Sequence, residues 1–151
     1  PTDGEGTAGV TAERASYDVY EKFQGPEFAL AAADGYVLIR SWKEPNRPRA
    51  EHQLYVHVMH DGRAKEFLSA SLPGGDLVEI KRIDTGELCQ QPGAAAECGL
   101  FEDVGIWVDT TDLKQAARDR GIILRLNAKR GDDVIVEVPA WYLKGYLAAI
   151  N

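Results

Sequence analysis

The strongest constraint in this chain is a two-residue alternation. Across residues 51–60, Leu54, Val56 and Val58 fall on one side, and Gln53, Tyr55, His57 and Met59 fall on the other. That is the period of a strand with one face on a core. The pattern recurs at Val104, Ile106 and Val108, at Ile122, Leu124 and Leu126, and at Val134, Val136 and Val138. A chain that repeats it with turn residues between the runs folds mainly as antiparallel β-structure.

The turn signals set the expected connections. Asp61-Gly62 and Pro73-Gly74-Gly75 divide residues 51–83 into three runs, which predicts a three-stranded meander. Asp34-Gly35 predicts a hairpin between residues 28–33 and 36–42, and Lys129-Arg130-Gly131-Asp132 predicts one between residues 122–127 and 134–138. Thr110-Thr111-Asp112 can cap a helix over 113–120 that Gly121 closes, and Pro139 can open a second over 140–150. Ala12, Ala15, Val19 and Phe23 predict a further helix, from Thr11 to Gly25-Pro26.

The sum is seven or eight strands with short flanking helices. The expected fold is an antiparallel β-sandwich of immunoglobulin-like kind, in which the helical crossover at 110–121 lets the chain change sheets. A closed β-barrel and an α+β arrangement are the alternatives.

At 151 residues the chain fits one domain, expected over 11–151. Residues 1–10 are small, polar and glycine-rich, the composition of a flexible tether. Acidic residues outnumber basic ones 24 to 17, so the overall field does not attract nucleic acid or anionic lipid. No apolar run approaches the ~18 residues that cross a bilayer as a helix. The first residue is proline, and no charged-then-apolar segment stands ahead of the domain, which reads as a mature or trimmed form.

The two cysteines, Cys89 and Cys98, flank a loop with Pro92, Gly93 and three alanines. Those turn residues let the ends meet as a disulfide, and no further cysteine is present to build a metal site. The expected compartment is therefore oxidising: periplasmic or extracellular, with possible anchoring through the N-terminus.

Several short motifs invite chemistry. Asp84-Thr85-Gly86 matches the aspartic-protease tripeptide, but the chain carries one copy, so two Asp84 carboxylates could share a proton only across a homodimer. Lys81-Arg82 before it and Glu87 after it favour a turn that leads into the cysteine loop. His52 and His60 share a strand face but stand roughly 26 Å apart, and His57 points the other way, so one strand cannot bring them together on a metal. Arg130-Gly131-Asp132 spells an adhesion tripeptide, although glycine and aspartate are also what a tight turn needs.

Trp42, Lys43, Arg47 and Arg49 place arginine and lysine beside an aromatic ring in an acidic protein, the composition of an interaction surface. The expectation is an extracytoplasmic, non-enzymatic binding or envelope-assembly module that meets a protein partner through that loop and needs no cofactor. A hydrolase with an unrecognised site is one alternative. A small-ligand carrier is the other, built on a closed barrel with Tyr55, His57 and Met59 inside.

Overall fold

A computed structural model of the chain describes residues 9–14, 20–45, 50–88 and 99–151. Cys89, Cys98, Arg47 and Arg49 lie outside the described residues, as does most of the expected tether. In chain order the strands are β1 (Thr11–Arg14), β2 (Glu21–Gln24), β3 (Phe28–Ala29), β4 (Asp34–Lys43), β5 (Ala50–His60), β6 (Phe67–Ser71), β7 (Leu77–Val78), β8 (Lys81–Leu88) and β9 (Gly99–Val108). Helix α1 (Thr110–Arg118) follows, then β10 (Ile122–Ala128), β11 (Val134–Val138) and helix α2 (Ala140–Ile150).

These strands form two antiparallel sheets. The large one runs β1-β2-β4-β5-β9-β8, with β3 also paired to β4, and the small one runs β11-β10-β6-β7. Both are open, so the closed barrel offered as an alternative does not form. Tyr55, His57 and Met59 are on the face of β5 opposite its buried Leu54, Val56 and Val58.

One core joins the layers. Val37, Ile39, Leu54, Val56, Val104 and Ile106 of the large sheet meet Phe67, Ala70, Leu124, Leu126 and Val136 of the small one. Leu113 of α1 and Tyr142, Leu143 and Tyr146 of α2 complete it. Helix α2 sits against β2 and β4: the Tyr142 hydroxyl donates to the Pro26 carbonyl at 2.6 Å, and the Tyr146 hydroxyl donates to Ser41 Oγ at 2.7 Å. The layer facing the large sheet is thus shared between the small sheet and the helices.

The β10–β11 hairpin has the expected register, with Ile122, Leu124 and Leu126 opposite Val138, Val136 and Val134. Helix α1 carries the chain from β9 in the large sheet to β10 in the small one. Its end is marked by Gly121 at φ 82, whose N–H reaches back to the Ala116 carbonyl at 2.9 Å. The hairpin at Asp34-Gly35 also forms, but Leu30 N–H bonds Gly35 O at 3.1 Å, so the loop is longer than two residues and Gly35 belongs to β4.

Two expected connections are wrong. The predicted helix after Thr11 is replaced, over its described residues, by β1 and β2. Strand β2 pairs with β4 and places Phe23 opposite Ser41, which buries the ring and satisfies backbone groups that β4 would otherwise present at an open edge.

The meander over 51–83 does not form either. Strand β5 uses both its edges on β4 and β9, while β6 pairs with β10 and β7 in the other sheet. Lying side by side would not have opposed the apolar faces of β5 and β6, whereas opposing sheets do. The crossing loop is clamped by Glu102 on β9, which accepts the N–H of Lys65 at 3.0 Å, the N–H of Glu66 at 2.8 Å and a 2.7 Å contact from His60 Nε2. The expected strand over 76–83 is likewise split, with β7 in the small sheet and β8 in the large one.

Candidate functional site

Because successive strand residues alternate faces, the large sheet presents two polar arrangements back to back. On the core face, a hydrogen-bonded chain runs through its end. Tyr146 OH donates to Ser41 Oγ, Ser41 Oγ lies 2.6 Å from His52 Nδ1, His52 Nε2 lies 3.0 Å from Thr110 Oγ1, and Thr110 donates to the Ala50 carbonyl at 3.3 Å. Since Thr110 spends its proton on Ala50 O, it accepts from His52 Nε2–H, and Nδ1 accepts from Ser41. Burial, reinforced by the charge of Lys114, pushes the His52 pKa down to about 4, so the ring is neutral near pH 7.

The Ser41–His52 spacing is that of a nucleophile and its base. Yet Ser41 is fully buried, and the far nitrogen of His52 meets a hydroxyl in place of an orienting carboxylate. The chain is a largely buried hydrogen-bonded brace.

On the outer face, a ladder of rings and charges crosses the sheet. His57 stacks on Tyr36, with centroids 4.9 Å apart at 22°, and contacts Phe101 on its other flank at 5.4 Å. Its Nδ1 lies 2.5 Å from Asp103 Oδ1, and the Tyr55 hydroxyl donates to the other oxygen of the same carboxylate. Burial and that bond to Asp103 hold the Tyr55 hydroxyl well above the ordinary phenol range. Arg40 stands over the rings of Tyr55, at 4.6 Å, and Trp42, at 5.3 Å, and its Nε donates to Gln53 Oε1 at 2.7 Å.

Gly105 makes room for this ladder. A Cβ there would lie 2.5 Å from Gln53 Nε2, so the amide can lie across β9 only because that position has no side chain.

The ladder ends in two indoles. Trp42 on β4 and Trp107 on β9 flank β5, and their rings meet at 5.6 Å with a 51° tilt. Trp107 is 50% exposed, an unusual position for so large an apolar surface. Beside the pair opens a groove of about 1260 Å³, walled by Tyr20, Trp42 and Trp107 and bordered by Glu44, Glu51, Asp109, Thr110 and Thr111, with His52 in its lining. The groove is larger than the ~300–1,000 Å³ typical of small-molecule clefts.

Of the residues expected to bind, Trp42 lies in this groove. Lys43 donates from Nζ to the Ile150 carbonyl at 3.3 Å, at the end of α2, where a cation suits the helix dipole. Trp107, Glu51 and Asp109 were not expected from the sequence, although a tryptophan on the polar side of an alternating strand is a readable signal.

The remaining motifs lie away from the groove. Asp84-Thr85-Gly86 lies within edge strand β8, beyond a bulge at Ile83, and does not form the expected turn. Asp84 is exposed and accepts the N–H of Thr85 at 2.9 Å. Arg130 of the adhesion-like tripeptide bonds Glu66 at 2.8 Å. Among the described residues, no group of three or more histidine, cysteine, aspartate or glutamate side chains is placed to hold a metal, and no helix is long and apolar enough to cross a membrane. Compared with known proteins, the chain matches no family model, no curated protein and no solved structure.

Proposed function

We propose that this chain is a non-enzymatic binding module that works outside the cytoplasm and engages its partner in the groove beside Trp42 and Trp107. The observation that carries this reading is the half-exposed Trp107 ring against Trp42 at the mouth of a large groove. A half-exposed indole packed against a second, partly buried one gives up much water-facing apolar area when covered, which is why tryptophan is prominent in binding energetics. The ladder behind them, from Arg40 to Asp103, fixes the Trp42 ring before any ligand arrives, so little ordering cost remains on binding. The extracytoplasmic assignment is supported by the sequence alone, through Cys89 and Cys98.

The test is site-specific photocrosslinking in the native host, with the crosslinking amino acid placed at position 107 and, as a control, at position 77, where Leu77 is the most exposed large apolar residue of the small sheet. A discrete product from position 107 that disappears on Trp42→Ala is expected. Products from position 77 and none from 107 would refute the site.

A hydrolase remains the second reading because His57 and Asp103 form a carboxylate–imidazole pair of the kind that orients a general base. It predicts ester or amide hydrolysis that is lost in His57→Gln.

A further inference from the structure

We infer that the occupant of the groove is a neutral oligosaccharide chain, an inference that rests on the groove being the binding site. The walls and rim restrict the chemistry of what can enter. Tyr20, Trp42 and Trp107 offer ring faces, while Glu51 and Asp109 offer carboxylates. An anionic ligand would meet those carboxylates as like charges. An apolar peptide would cover them and supply no donors, and burying acceptors without partners is costly.

A cation is disfavoured from behind. The Arg40 guanidinium already lies 5.3 Å from the Trp42 ring centroid, and Lys22 is in register with Trp42 on β2. A second cation on the same ring would face both charges.

A sugar ring meets all of these conditions at once. Its C–H face is apolar enough to lie on an indole, and its hydroxyls donate to carboxylates, which can only accept. Thr111 in the same lining can both donate and accept. The exposed rings of Trp107 and Tyr20 in the same groove present two platforms, so separate rings of a chain can each find one. The groove's volume and open side suit several linked sugars better than one.

The experiment is a glycan array spanning hexose, N-acetylhexosamine, deoxyhexose and uronate chains. Titrations of the best binder, an oligolysine and an oligoglutamate follow, read by intrinsic tryptophan fluorescence. A neutral chain is expected to bind, more tightly as the hexamer than as the dimer, with an affinity that changes little with salt because no ion pair forms. Trp107→Ala should weaken it roughly thirtyfold, the loss of one central aromatic contact. The double variant Glu51→Gln/Asp109→Asn should weaken it less. The double variant Asp61→Asn/Glu87→Gln, just past β5 and on edge strand β8 at the Leu100 end of β9, should leave it unchanged.

Binding confined to oligolysine or to uronate chains overturns the inference. So does a blank array from protein whose crosslinks at position 107 persist, in which case the groove binds something else and the site reading stands. Glycan binding that survives Trp107→Ala, together with no crosslink from position 107, overturns both.

Discussion

His52 and His57 stand on the same strand and face opposite ways, as do Glu102 and Asp103 on the next strand. The inner pair is spent on architecture. His52 links Ser41 to Thr110, and Glu102 holds the loop that carries the chain between sheets. The outer pair bond to one another, and with Tyr55 and Arg40 they build a rigid surface that ends in two indoles. Similar side chains therefore do different work according to which face the two-residue alternation gives them. A hydrogen-bonded histidine or carboxylate in this fold is no guide to function until its face is known.

The inner pair should dominate stability, and the largest effect is expected at Glu102. Removing it in Glu102→Ala leaves the Lys65 and Glu66 N–H groups and His60 without an acceptor, at a cost of about 3 kcal/mol or more. Asp103→Ala, which unpairs two side chains but no backbone N–H, should cost about half as much. Urea denaturation of the two variants checks this, and equal losses would break the distinction between the faces.

The next effect is the pH dependence set by His52. Its pKa is lowered from 6.5 in the unfolded chain to about 4 in the fold, so between those values the unfolded state binds the proton and the folded state does not. Stability from this group is whole above pH about 6.5 and is lost as pH falls toward 4, by up to about 3 kcal/mol. The difference between wild type and His52→Gln, measured across that window, isolates the term. Parallel pH profiles would show that the brace is not what sets this dependence.

A smaller change belongs to the outer face. Gly105→Ala places a methyl group against Gln53 and should cost about 1–3 kcal/mol through overpacking. It should also tilt the ladder that holds Trp42, so its thermal melt and its crosslinking yield should fall together.

Much of this was readable in advance. The alternation located β5, β9, β10 and β11 and assigned their buried faces, because the period of a strand is local and steric. What the residues could not reveal was which strand lies beside which. Asp61-Gly62 looks like a hairpin turn, but whether β6 returns along β5 or crosses the core depends on Glu102, far away in sequence, and on Glu66 adopting φ 52. The helix expected after Thr11 failed for a similar reason: Ala12, Ala15, Val19 and Phe23 fit a helical face, and the pull of β4's open edge outweighed that pattern. The groove was half legible. Trp42 stood out beside its basic loop, whereas Trp107 joins it only after two strand pairings bring β4 and β9 to either side of β5.

The most direct test of the division between an architectural face and a binding face is the crosslinking comparison between positions 107 and 77. A partner captured from 107, lost on Trp42→Ala and absent from 77, is the predicted result. Capture from 77 with none from 107 would contradict it and move the binding surface to the small sheet.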